Sequence, residues 1–221
     1  MVKKLTALFA LMLALGMSIM PVAAQELDAD AYADLGLESA YSRLYIADGT
    51  ATNADPNLLG VMAIGFHFDK ADTAEDAFEE FTCGFIGGFI GVDAADCDGL
   101  NEDGTVTVDT DIAISDDPAI EAIGTADFSG TSMPMTLLAV QSDENIFMVI
   151  NLGVAESQSA DALGGFLADA EAVDTEVEFN ADGTSTGGFF DMLPQDGDKE
   201  IEGLAPSMDT DFLNSSATPA A

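Results

Sequence analysis

Oxygen-bearing side chains are concentrated between residues 93 and 103, where they could bind a metal ion. The pattern Asn-x-Asp-Gly-Thr begins at Asn101 near the end of this stretch and recurs at residues 180–184. Calcium is bound by carboxylate and carbonyl oxygens, often from alternate positions of a loop that turns at a glycine. The candidate ligands are Asp96, Asp98, Asn101 and Asp103. A calcium site at these residues is therefore one hypothesis, and calcium is the only cofactor that the sequence suggests.

The same stretch has a simpler interpretation as turn sequence. It departs from the twelve-residue calcium loop, because Gly99 would occupy the first ligand position and Thr110 the twelfth. Asp-Gly pairs commonly form tight turns ahead of strands. We favour the turn interpretation and keep calcium binding as the alternative.

Cys83 and Cys97 are the only cysteines of the chain. Two cysteines at short spacing predict one disulfide if the protein is in an oxidising compartment. Metal binding by this pair is disfavoured, because no further soft ligand is close in sequence and the single histidine is His67.

His67 is the residue that a nucleophilic active site would require, since Ser-His-Asp and Cys-His arrangements both need an imidazole. It lies between Phe66 and Phe68 in a predicted strand, and we interpret it as a solvent-facing histidine without a function. The sequence contains no phosphate-binding glycine loop and no zinc-ligand pattern. No catalytic and no cofactor-binding residue is predicted.

The charge of the chain is strongly negative, with 41 acidic and 5 basic residues and a formal net charge of −36. Nucleic acid is excluded as a partner, because too few cations are present to contact phosphates. Cationic partners and metal cations are the electrostatically favoured ligands. Salt would screen the self-repulsion of such a surface, which makes adaptation to a salty habitat one interpretation of the acidity.

The first 24 residues have the three parts of a secretory signal peptide. Lys3 and Lys4 are followed by an uncharged apolar stretch, and Val22 and Ala24 provide the small residues of a cleavage site. We expect cleavage after Ala24, no membrane attachment thereafter, and a secreted or periplasmic location. An uncleaved anchor is the alternative, but the apolar core is slightly short for a membrane span.

Hydrophobic periodicity predicts the elements that would position these residues. Residues 25–56 are acidic, and Leu37–Tyr45 is predicted as a short helix. In the strand from Gly60 to Asp69, Ala63, Gly65 and His67 share one face, and the larger apolar side chains share the other. A helix begins near Thr73, and its apolar stripe is formed by Phe78, Phe81, Phe85 and Phe89.

Consecutive strands follow, and they predict an antiparallel meander. The four predicted strands are Thr105–Ser115, Ala119–Phe128, Met133–Val140 and Ile146–Leu152. A second amphipathic helix starts near Ser159, and Val173–Phe179 is a candidate for a last strand. The predicted fold class is α+β, in the order β-α-β-β-β-β-α with a final β left open, and with helices packed on one face of the antiparallel sheet.

These elements predict a single domain over residues 57–183 and a mostly disordered acidic tail over residues 184–221. Apolar groups in the tail could dock on the domain or bind a partner. The function that we expect is a non-catalytic extracytoplasmic domain that binds a partner or ligand. A calcium-binding surface protein and a carboxylate-dependent secreted hydrolase are the alternatives.

Overall fold

The computed structural model describes residues 36–47, 60–90, 97–104, 106–114, 116–128, 131–153, 173–180, 185–195 and 204–213. Antiparallel strands account for more than half of them. The strands are β1 (Leu37–Ala47), β2 (Gly60–Phe68), β3 (Val106–Ile114), β4 (Asp117–Phe128), β5 (Thr131–Ser142), β6 (Asn145–Leu152), β7 (Glu178–Phe179), β8 (Ser185–Thr186) and β9 (Leu204–Asp211). The helices are α1 (Ala71–Ile90), α2 (Cys97–Asp103) and α3 (Phe189–Met192).

Seven strands form one antiparallel sheet in the order β3-β4-β5-β6-β2-β1-β9, and β7 pairs with β8 in a separate ribbon. The predicted meander is present, because β3 to β6 are consecutive neighbours. The fold is dominated by this sheet, so the predicted α+β class is supported only in part.

The first face of the sheet is covered by α1 and α2. Alternation along β2 places Met62, Ile64, Phe66 and Phe68 on this side, as predicted, and all four are buried. Phe66 meets Phe81 of α1 edge-on, with ring centroids 4.7 Å apart. We call this side the helical face.

The disulfide predicted between Cys83 and Cys97 is present, with their Cα atoms 5.2 Å apart. It joins α1 to α2, and both cysteines are buried in the core of the helical face. The helix predicted to begin near Thr73 begins two residues earlier, at Ala71. Asp69 precedes the helix and accepts a hydrogen bond of 2.8 Å from the Thr73 hydroxyl.

The opposite side of the sheet is covered by residues 173–180 and 185–195, and we call it the segment face. Phe189 and Phe190 are buried there against Ala63, Val149 and Phe147. Phe189 packs directly on the backbone of β2 at Gly65, where an added Cβ would lie 2.7 Å from two ring carbons. A glycine in a strand interior thus marks a close approach of a neighbouring group.

Two predictions about helices are wrong. Leu37–Tyr45 belongs to strand β1, because it lies between β2 and β9 and buries side chains on both faces of the sheet. Helices do not occupy one face only, since the short helix α3 packs on the segment face. The predicted helix near Ser159 lies outside the described residues, and of the predicted strand Val173–Phe179 only Glu178–Phe179 is extended and paired.

Parts of the predicted tail belong to the fold. Residues 185–195 pack on the segment face, and β9 pairs with β1 at the edge of the sheet. Arg43 of β1 lies opposite Asp209 of β9, and its Nε and Nη2 atoms donate hydrogen bonds of 2.7 Å to the two carboxylate oxygens. Burial opposes the charge of Arg43, but hydrogen bonding and attraction to Asp209 outweigh it and raise the pKa of the guanidinium.

Candidate cation site

His67 lies on the segment face near the end of β2, with 12% of its side chain exposed. Its backbone pairs with Asn145 of β6, and its Nδ1 atom is 2.9 Å from the Asn145 side-chain oxygen. In the neutral imidazole, with that oxygen as the acceptor, Nδ1 carries the proton and Nε2 keeps its lone pair. Asn145 is buried, so it holds the imidazole in one orientation.

Glu38 reaches His67 because β1 has a bulge at this point. Leu37 is paired with Phe68 and Ser39 with His67, so Glu38 is an extra residue between the two pairs. Bulges often redirect a side chain beside a functional site. The Glu38 Oε2 atom lies 3.9 Å from His67 Nε2, and 58% of the Glu38 side chain is exposed.

Asp174 is brought to the same place by the segment that covers this face. Val173 is fully buried, and its carbonyl accepts a hydrogen bond of 3.3 Å from the Ser39 hydroxyl. The next residue therefore emerges beside His67. The Asp174 Oδ1 atom lies 3.6 Å from Nε2, and 68% of the Asp174 side chain is exposed.

The side chains of Glu38, His67 and Asp174 offer three ligand atoms that all lie within 4.8 Å of one another, and we call this group the His67 cluster. Its carboxylate oxygens are too far from Nε2 for hydrogen bonds, whose usual length is about 2.7–3.2 Å. Ligand atoms that share a tetrahedral ion at about 2.1 Å lie about 3.4 Å from one another. The two separations from Nε2, 3.6 Å to Asp174 and 3.9 Å to Glu38, are somewhat longer than that value.

The electrostatic surroundings of the cluster are negative. Of the basic residues in the described ranges, Arg43 is paired with Asp209 and Lys70 lies 3.0 Å from Asp69. Neither balances the two carboxylates of the cluster. The pKa of nearby Tyr41 is raised by burial first and then by the negative charges of Asp211 and Asp174.

Three of the four predicted calcium residues lie elsewhere, in a helix that packs on the helical face. Asp98, Asn101 and Asp103 belong to α2, and Asp96 lies outside the described residues. The Asn101 side chain bonds to the backbone of Val108, accepting from its N–H at 2.8 Å and donating to its carbonyl at 3.1 Å. Asp98 is exposed, and calcium binding by this group stays a prediction.

A turn does follow the predicted calcium residues. Gly104 has a φ of +77°, a left-handed conformation that favours glycine. The Asn101 contacts and this turn together connect α2 to β3. They are consistent with the turn interpretation of the Asn-x-Asp-Gly-Thr pattern.

Sequence reasoning interpreted His67 as a solvent-facing histidine without a function and did not point to Glu38 or Asp174, whereas only 12% of the His67 side chain is exposed. No spacing rule relates these residues, because one is placed by a bulge and the other by a segment more than a hundred positions away in the chain. Comparisons with protein-family models, with curated proteins and with solved structures found no match.

Proposed function

We propose that this protein is an exported, non-catalytic domain that binds a cationic ligand at the His67 cluster. The observation that carries the proposal is the convergence of the Glu38 and Asp174 carboxylates on His67 Nε2. Two carboxylates whose oxygen atoms lie within 4.8 Å of each other repel each other. Binding a cation would relieve that repulsion, and the long-range field of a chain with a net charge of −36 would attract it.

Export is supported by two independent features. The first 24 residues have the charge and hydrophobicity pattern of a cleavable signal peptide. The Cys83–Cys97 disulfide is of a kind that persists in oxidising compartments and is rare in reducing ones. None of the described helices has the length and hydrophobicity needed to cross a membrane.

The location is tested by recovering the protein from its native host and determining its N-terminus. We expect the mature chain to begin at Gln25 outside the cytoplasm, with no thiol available for alkylation. An intact Met1 in cytoplasmic material would overturn this part of the proposal.

The cation site is tested by calorimetric titration of the mature, oxidised protein with Zn²⁺, Ca²⁺, Mg²⁺ and a lysine-rich peptide. The test variant is Glu38→Gln/Asp174→Asn, and the matched control is Asp76→Asn/Glu79→Gln on the exposed side of α1. Both variants remove two negative charges. We expect at least one cation to bind the wild type and the control alike and the test variant at least tenfold more weakly. Equal loss in both variants would show that only net charge matters and that the cluster is not a site.

A further inference from the structure

We propose that the ligand of the His67 cluster is a divalent transition-metal ion of the zinc class, held by His67 Nε2 and by one carboxylate oxygen each from Glu38 and Asp174. This inference deepens the proposed function, on which it rests. It specifies which class of cation binds and which three atoms of the protein coordinate it.

The first argument is that His67 is already oriented as a metal ligand. Histidines that bind metals almost always donate their second ring N–H to a fixed acceptor, which sets the tautomer and the orientation of the ring. The Asn145 side-chain oxygen, 2.9 Å from Nδ1, supplies that acceptor from a buried position. Nε2 is thereby presented with its lone pair toward the two carboxylates.

The second argument is the chemistry of the donor set. Calcium takes six to eight oxygen ligands and magnesium keeps several waters in an octahedral shell of oxygens. The His67 cluster has one imidazole nitrogen and two carboxylates, which suit zinc and its neighbours in the first transition row. With three protein ligands and two largely exposed carboxylates, at least one coordination position would face solvent.

The third argument concerns the alternative in which a protonated His67 simply pairs with the two carboxylates. Charge-assisted hydrogen bonds between nitrogen and carboxylate are short, about 2.7–2.9 Å. The Nε2 separations of 3.6 and 3.9 Å exceed that range. The separations therefore do not match direct pairing of a protonated His67 with either carboxylate.

A bound ion would join three parts of the chain that are distant in sequence. Glu38 belongs to β1, His67 to β2, and Asp174 to the segment that covers this face. A ligand that binds only the folded state stabilises it by mass action. Zinc should therefore raise the melting temperature and slow proteolysis of the covering segment.

The experiment titrates the mature, oxidised protein with Zn²⁺ in millimolar Mg²⁺, and follows Co²⁺ by its visible absorption as a probe of nitrogen ligation. The variants are His67→Gln, Asn145→Ala, Asn145→Asp, and the control Asp76→Asn/Glu79→Gln. We expect one ion per chain in the wild type and control. Affinity should fall at least tenfold in His67→Gln and about 10–100-fold in Asn145→Ala, as outer-shell losses usually do, with recovery in Asn145→Asp, which keeps an oxygen acceptor.

The outcomes separate the two proposals. The proposed ligands would be wrong if His67→Gln bound zinc as tightly as the wild type. They would also be wrong if this variant gave the same Co²⁺ spectrum. Calcium or peptide binding that depends on Glu38 and Asp174, without zinc binding, would overturn the zinc inference but keep the proposed function. If every cation binds the Glu38→Gln/Asp174→Asn variant and its control with the same affinity, both proposals are wrong.

Discussion

The helical face and the segment face bury apolar side chains of the same sheet, but they are covered in different ways. On the helical face, a regular helix lays a phenylalanine stripe on alternating apolar residues, and a disulfide ties α1 to α2. On the segment face, the covering chain is held by single contacts, such as Phe189 over Gly65 and the hydrogen bond that Arg43 donates to the Ser185 carbonyl. The helical face is thus formed by side chains that repeat at regular spacing along a strand and a helix. The segment face is formed by individual contacts between residues far apart in the sequence, and polar side chains such as His67 lie among them.

The largest effect is expected where a charge is buried on the segment-face side. In Asp209→Ala, Arg43 would keep its charge in a buried position without its partner, which typically lowers the free energy of unfolding by about 3–5 kcal/mol. Urea unfolding measures this loss. Lys70→Met, at the exposed Lys70–Asp69 pair, is the control and should change the stability far less.

The double variant Arg43→Met/Asp209→Leu sharpens this test. Replacing a buried ion pair by apolar side chains is often neutral, so most of the lost stability should return. If Asp209→Ala were as mild as Lys70→Met, the attachment of β9 would not depend on the buried pair.

Loss of the disulfide should be the next largest effect, and it should be confined to the helical face. Cys83→Ala/Cys97→Ala opens a loop of about 15 residues, for which the chain-entropy estimate is about 3 kcal/mol. Thermal unfolding measures the loss. Cation binding at the His67 cluster should be unchanged in this variant, and a parallel loss of binding would show that the two faces are not independent.

A smaller effect is expected from Gly65→Ala, which overpacks the segment face alone. The new methyl group would lie 2.7 Å from the Phe189 ring and 3.5 Å from Val173 Cγ2, so the covering segment must shift. Overpacking usually costs about 1–3 kcal/mol. Phe189→Leu in the same chain should restore part of the stability, and the absence of any recovery would argue against the direct contact.

The smallest effect concerns the start of α1. Hydrogen bonds from Thr73 and from Lys70 lower the pKa of the exposed Asp69 carboxyl. A carboxyl with a lowered folded-state pKa contributes stability above its unfolded pKa, and the contribution disappears as pH falls through the folded pKa. Thr73→Val should therefore be less stable than wild type at neutral pH and equal to it in acid. Carboxyl NMR titration should show a higher Asp69 pKa in this variant, and an unchanged titration would exclude the hydroxyl as its cause.

The parts of the fold that the sequence could predict are those with repeated local patterns. Alternation along β2 correctly separates Phe66 from His67, and spacing along α1 correctly predicts that Phe81 and Phe85 face the sheet. The disulfide followed from the cysteine count. In β1, by contrast, Leu37, Tyr41 and Leu44 fit helical spacing equally well, and only pairing with β2 and β9 makes the segment a strand.

The site and the docked tail could not be predicted for a different reason. The composition of residues 184–221 predicted that this segment would bury too little apolar surface to fold. In the structure, Phe189, Phe190 and Leu193 are buried against an apolar face of the sheet. Glu38 meets His67 through a bulge, which shifts register by one residue and leaves no trace in hydrophobic periodicity. Asp174 depends on where its covering segment docks.

The pairing of Arg43 with Asp209 also connects two strands that are far apart in the sequence. Strands β3 to β6 join through hairpins between neighbours in sequence, so they can form as soon as each hairpin is complete. Asp209 lies 166 positions after Arg43, and β1 acquires its outer neighbour only when that distant strand is available. Until then, burying Arg43 would place a charge in the interior without its partner. Burial of the Arg43 guanidinium is therefore linked to the presence of β9, and a chain that lacks β9 would bury this charge only at a large cost in free energy.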